Sequence, residues 1–167
     1  SIDLGAREEV TSFTALEDYR NPNVPFALPR AALCILGFTG ENHPGRTLEE
    51  VLTDFGGGVE VTLLAAVPKG SGLGTSSILG ATLLAALERF FGVFDERHIN
   101  TGELYRQELQ MEQMLTTGGG WQDQIGGVAG GVKYAMSTPG LRPDLVVYQL
   151  DPWLFEAPEA VSRYTLF

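Results

Sequence analysis

The stretch Pro68–Leu87, PKGSGLGTSSILGATLLAAL, sets a glycine- and hydroxyl-rich loop directly before the most apolar run of the chain. Upstream, Val59–Val67 (VEVTLLAAV) is rich in apolar and β-branched residues and stops at Pro68, the pattern of a strand. Downstream, Ser76–Phe91 is apolar on nearly every side, which predicts a buried helix, and Gly92 ends it. Strand, loop, helix is the order that an anion site requires. The first N–H groups of a helix have no intrahelical acceptor, and the helix dipole adds partial positive charge there. Gly70, Gly72 and Gly74 let the backbone curl closely, and Thr75, Ser76 and Ser77 can cap the helix or reach a phosphate-bound cation. Taken alone, these residues leave two readings open: a flexible turn with a hydroxyl N-cap, or a cradle for a phosphate.

Two better-known phosphate loops do not fit. No Gly-Lys-Ser/Thr follows the glycines, because Lys69 comes before them, and the spacing is not Gly-x-Gly-x-x-Gly.

Away from the loop, Ile2–Val10 partly alternates apolar and polar residues and is expected to be a half-buried strand. Pro22, Pro25 and Pro29 break up the region that follows. Ala31–Phe38 reads as a short buried helix, and Thr47–Phe55 as a helix capped by Thr47. Asn100 or Thr101 caps a further helix that runs to about Leu115, and strands are expected over Gly131–Ser137 and Asp144–Leu150. Val161–Phe167 (VSRYTLF) opens like another strand where the sequence stops, so a piece of a longer polypeptide is expected.

Composition narrows the function classes. Of 167 residues 44% are hydrophobic, the signature of a globular chain. Twenty-one acidic residues stand against 11 basic ones, a formal net charge of −10, which repels a nucleic-acid backbone. No apolar run has the roughly 18 residues that span a bilayer, so no membrane partner is expected. Cys34 is the only cysteine and the start lacks an export-signal pattern, so a cytoplasmic location is expected.

A second unusual stretch is LQMEQMLTTGGGWQDQIGG, Leu109–Gly127. At about 100° per residue, Leu104, Glu108, Met111 and Leu115 share one helical stripe with Glu112 at its border. Two acids beside an apolar face call for a metal ion or basic partner, unless a frayed helix end lets them reach water; for Glu108 alone, the route to water is the expectation. The triple glycine then leads into Trp121-Gln122-Asp123-Gln124, read as a turn. Its aspartate is placed either as an ordinary Asp/Gly turn residue or as a general base or metal ligand. Together with the loop, these carboxylates supply the parts of phosphoryl transfer.

PKGSGLGTSS resembles the P-x-x-x-G-L-G-S-S signature of the GHMP kinases, and the run LTTGGGWQDQ resembles that superfamily's L-fucokinase branch. The likeness extends to SIDLGAREEV, DFGGGVEVTLLAA and the Asp151-Pro152-Trp153 region. It implies an α+β fold, a mixed sheet packed with helices, with a left-handed crossover where pattern alone predicts a right-handed one. It implies ATP bound by Pro68, Gly70, Ser71, Gly72, Leu73, Gly74, Thr75, Ser76 and Ser77, with Mg²⁺ held by Ser76 and Glu112 rather than Glu108. Asp123 would be the catalytic residue, with Trp121, Gln122 and Asp123 shaping the pocket for a small-molecule sugar. The implied reaction is phosphorylation of the anomeric hydroxyl of L-fucose. A heptose-phosphate kinase of the same branch and a non-catalytic nucleotide-binding module are the alternatives. Residues 1–167 would form a partial N-terminal kinase domain, because neither the family's first substrate-binding segment nor its late glycine-rich motif is present. A kinase C-terminal domain is expected to continue the chain, and the fragment alone is expected to be inactive.

Overall fold

The computed structural model describes residues 5–21, 23–66, 74–92, 100–115, 120–140 and 144–155. They fall into two compact units, Ser1–Val128 and Ala129–Phe167.

The first unit is helical. Helix α1 (Phe13–Glu17) is capped by Ser12, whose hydroxyl accepts from the Ala15 N–H at 3.2 Å, and it runs into a 3-10 turn over Asp18–Arg20. Helix α2 (Ala27–Ile35) begins four residues earlier than expected and ends three residues sooner. Pro29 does not break it because it sits in the first turn, where an N–H would have no intrahelical acceptor anyway. The turn at Leu36–Gly37, with Gly37 at φ +95°, closes α2 before Phe38. Helix α3 (Leu48–Asp54) follows the expectation closely. The Thr47 hydroxyl accepts from the Glu50 N–H at 3.2 Å, and the Thr47 N–H donates to the Glu50 carboxylate at 2.7 Å, a complete capping box.

Helix α4 (Thr75–Phe90) is the centre of this unit, and α2, α5 (Thr101–Met114) and α6 (Gln122–Val128) all pack on it. Asn100 caps α5 by accepting from the Glu103 N–H at 3.2 Å. The main core joins Ala31 and Ala32 of α2, Ala81, Leu83, Leu84 and Leu87 of α4, and Leu104 and Met111 of α5. The small alanines of α2 let the helix axes approach, while the leucines fill the interface. A second cluster under the amino-terminal helices contains Phe13, Leu16, Cys34, Phe38, Leu48 and Val51. Burial, followed by the charge of Glu17, pushes the Cys34 thiol up to about 11, so it is a neutral core group.

Two expected strands are not formed among the described residues. Residues 5–10 are irregular. Residues 59–66 keep a period-two alternation, with Val59, Val61, Leu63 and Ala65 half-buried and Glu60, Thr62 and Leu64 exposed, yet they pair with no described strand. Apolar alternation is a local property, whereas a ladder needs a neighbour in register. Val61 and Leu63 instead pack against the core around α4.

The second unit contains the two strands expected from the sequence, each slightly shorter than expected. Strand β1 (Lys133–Ser137) pairs antiparallel with β2 (Leu145–Gln149), with Lys133 opposite Gln149 and Ser137 opposite Leu145. Tyr134, Met136, Val146 and Tyr148 share its exposed face, and the Tyr134 and Tyr148 rings stack across the strands at 6.4 Å. A 3-10 turn, Pro152–Phe155, follows. Helices with this small antiparallel sheet are consistent with an α+β architecture. The strand expected over Val161–Phe167 lies outside the described residues. No described helix is long and apolar enough to cross a membrane.

Candidate functional site

Gly74 stands at the N-cap of α4 with φ +64°, a left-handed conformation that glycine adopts without a Cβ penalty. Being glycine, it offers no side-chain acceptor to the first turn of the helix. Its missing Cβ also makes room for a neighbour. A Cβ built there would lie 3.2 Å from both Cβ and Cγ of Asp123, so the catalytic candidate on α6 packs directly against the end of the glycine loop. Of the expected ATP contacts, Pro68, Gly70, Ser71, Gly72 and Leu73 lie outside the described residues, while Gly74, Thr75, Ser76 and Ser77 lie within them.

Successive helical residues point about 100° apart, and this separates the hydroxyls at the start of α4. Ser76 is exposed, whereas Ser77 is 1% exposed and turns inward to α5. There its hydroxyl is hydrogen-bonded to the Oε1 atom of half-buried Glu112. The structure thus brings the expected metal-binding glutamate to the first turn of α4. The hydroxyl that it meets is the one next to the expected ligand Ser76.

Trp-Gln-Asp-Gln, read as a turn, is instead the entry into a helix: Trp121 precedes α6, and Gln122 and Asp123 open it. The side chain of Gln122 folds back over Gly120, where any Cβ would collide with its amide. Trp121 is half-buried, and Gln122 and Asp123 are exposed. Asp123 therefore has solvent access on one side and the α4 N-cap on the other, which suits a carboxylate that must meet a substrate.

Glu108 departs most from expectation. It does not reach water: it is 0% exposed, and α5 continues past it to Met114. The reason lies on α4. Gly80 opens a notch into which Glu108 and Met111 fit, and a Cβ on Gly80 would lie 2.5 Å from Glu108 Oε2 and 2.6 Å from Met111 Cε. Neither carboxyl oxygen has a hydrogen-bond partner among the described residues. Burial, and then the nearby charge of Glu112, push the Glu108 pKa up to about 8, so it is mainly a neutral acid at pH 7.

Sequence reasoning missed two other buried polar groups. Glu88 on α4 and Gln124 on α6 are fully buried, again without hydrogen-bond partners among the described residues. Burial raises the Glu88 pKa; the neighbouring Gln107 amide, close by but outside hydrogen-bonding geometry, opposes that shift, and the charge of Glu103 adds to it. The signal for Glu88 was its place within a helix apolar on nearly every side. Gln124 had none, because its burial depends on how α6 docks.

Hard oxygen donors are the chemistry of this corner. No group of three or more metal-ligating side chains occurs among the described residues. Mg²⁺ bound with a nucleotide needs only one or two carboxylates, the phosphates themselves and water. Glu112 beside the first turn of α4, with the exposed Ser76 hydroxyl on that turn, fits this requirement.

A glycine-initiated helix, a carboxylate docked on its N-cap and a second carboxylate held against its first turn therefore meet at one corner of the helical unit. The family model for the GHMP kinases N-terminal domain matches residues 42–131, and the chain belongs to the GHMP kinases. It is similar to an L-fucokinase/L-fucose-1-P guanylyltransferase of Bacteroides fragilis, 46% identical over 169 aligned positions that cover 100% of this chain and 17% of that protein. It is also similar to a bifunctional fucokinase/GDP-fucose pyrophosphorylase of Arabidopsis thaliana, 41% identical over 84% of this chain and 12% of that protein. The chain therefore spans about a sixth or less of the length of these relatives.

Proposed function

We propose that this chain is the ATP-loop part of a sugar kinase that phosphorylates the anomeric hydroxyl of L-fucose. The observation that carries the reading is the packing of Asp123 against Gly74 at the start of α4. That contact sets a carboxylate beside Gly74, the last residue of the loop expected to hold the phosphates, and supports its assignment as the proton acceptor. The similarity to fucokinases over the whole chain supports the choice of sugar.

On this reading, Pro68, Gly70, Ser71, Gly72, Leu73, Gly74, Thr75 and Ser76 bind ATP through the loop backbone and the hydroxyls at the helix start, and Ser77 contributes through its backbone N–H alone, its hydroxyl being bonded to Glu112. Ser76 and Glu112 hold Mg²⁺, which neutralises charge developing on the transferred phosphate. Asp123 accepts the proton of the C1 hydroxyl, whose oxygen attacks the γ-phosphorus as the bond to the ADP oxygen breaks. The products are fucose-1-phosphate and ADP, with the proton passing to solvent. Trp121 and Gln122 shape the sugar pocket. Most of the acceleration comes from positioning and charge neutralisation. The reading also extends to the rest of the polypeptide: residues 1–167 form part of the N-terminal kinase domain, residues 59–66 join a mixed sheet with a left-handed crossover, and a C-terminal kinase domain completes a cytoplasmic enzyme. The isolated fragment would then be inactive.

The test is ADP release by the full-length protein with Mg²⁺·ATP and a panel of L-fucose, D-arabinose, galactose and a heptose 7-phosphate. Turnover selective for L-fucose is expected. Preference for the heptose phosphate would replace the substrate, and binding of ATP without turnover of any sugar would replace catalysis with a nucleotide-binding role.

A further inference from the structure

Two adjacent hydroxyls at the start of α4 face different surroundings, and only one of them reaches solvent. Ser76 is exposed, as a ligand to a phosphate-bound cation must be. Ser77 is 1% exposed and spends its hydroxyl on Oε1 of Glu112, which belongs to another helix. An O–H donor to a carboxylate is among the stronger hydrogen bonds, and burial shields this one from competition by water. The carboxylate sits on a side chain with several rotatable bonds, whose freedom must be lost before it can ligate. The packing around it restricts the same helix: Glu108, one turn earlier, and the adjacent Met111 are seated in the Gly80 notch of α4.

We propose that Ser77 is a positioning residue for Glu112, rather than a phosphate contact. Its hydroxyl holds the Glu112 carboxylate against the first turn of α4, the turn that also carries Ser76. The inference rests on the assignment of Glu112 as a metal ligand. A partner that orients a ligand in this way commonly affects metal affinity by about 10- to 100-fold.

The experiment measures Mn²⁺ binding by electron paramagnetic resonance, in the full-length protein saturated with a non-hydrolysable ATP analogue. It compares wild type, Ser77→Ala, Glu112→Gln and the double variant, each with its thermal midpoint recorded. Ser77→Ala is expected to weaken Mn²⁺ binding about tenfold and to add nothing once Glu112→Gln is present. Affinity for the analogue without metal should not change. Ser77→Cys, which keeps the volume and a weak donor, repeats the measurement if Ser77→Ala lowers the thermal midpoint. Equal losses with and without the Glu112 carboxylate would overturn the proposal, as would loss of analogue affinity in the absence of metal. If Glu112→Gln weakens Mn²⁺ and Ser77→Ala does not, only the role of Ser77 fails. If Glu112→Gln itself leaves Mn²⁺ bound as before, the metal assignment fails and takes the Ser77 inference with it.

Discussion

Arg30 on α2 and Glu108 on α5 are both buried, 4% and 0% exposed, yet the helical unit treats them in opposite ways. Arg30 pairs with Glu8 at 2.6 Å and donates to the carbonyls of Pro25 and Ala15, so its charge is retained and satisfied. Glu108 has no hydrogen-bond partner among the described residues and keeps its proton instead. Around the amino-terminal helices a buried charge ties three chain segments together. On α4 and α6, Glu88 and Gln124 likewise lack hydrogen-bond partners among the described residues, and the buried Ser77 hydroxyl is bound to Glu112. An unpartnered buried polar group costs stability, so the two regions should respond oppositely when their polar groups are removed.

The largest expected effect breaks the satisfied side. Arg30→Met removes the cation and leaves Glu8 and two carbonyls without their donor, and a loss of about 3 kcal/mol is expected in urea unfolding. A loss below 1 kcal/mol would show that the pair is dispensable. The reverse is expected of Glu108→Gln. The native state holds the Glu108 proton to about pH 8, whereas the unfolded chain releases it near the ordinary value of 4.5. Wild type therefore loses stability as pH rises between those values, by up to about 1.4 kcal/mol per pH unit from this group. Glu108→Gln should flatten that slope and be more stable than wild type at pH 9, with the advantage vanishing near pH 5. Glu88, shifted in the same direction, leaves a residual slope. Unfolding curves at pH 5, 7 and 9 check this, and parallel profiles for the two proteins would contradict it.

A smaller effect sharpens the geometric cause. Gly80→Ala gains helix propensity but drives a Cβ into Glu108 and Met111, so a net loss of about 1 kcal/mol is expected. Combining it with Glu108→Ala should recover much of that loss, which a double-mutant cycle reads directly.

Signals carried by neighbouring residues were legible in the sequence. The Thr47 cap, the cap expected at Asn100 or Thr101 and found at Asn100, the start of α4 among its hydroxyls and the two strands of the second unit all follow from such signals. Apart from Pro29, whose tolerance is a local effect, the misses depend on partners far along the chain. The prolines before Ala31 were read as breakers, although Pro29 is tolerated within the first turn of α2. Residues 59–66 show the right alternation without a ladder, since alternation does not supply a neighbour. Glu108 lay on the apolar stripe, but only Gly80 on another helix reveals that it is enclosed. Of the candidate site, the sequence pointed to Gly74, Glu112 and Asp123, but not to the Ser77–Glu112 bond, which exists only once α4 and α5 have packed.

The most direct test of the central claim is Asp123→Asn in the full-length protein, with Mg²⁺·ATP binding and L-fucose-dependent ADP release measured on the same preparation. The account predicts that turnover falls by roughly a thousandfold or more, the order expected for loss of a proton acceptor, while nucleotide affinity stays within about twofold. Turnover unchanged by the substitution would contradict the assignment of Asp123 and, with it, the site built around the start of α4.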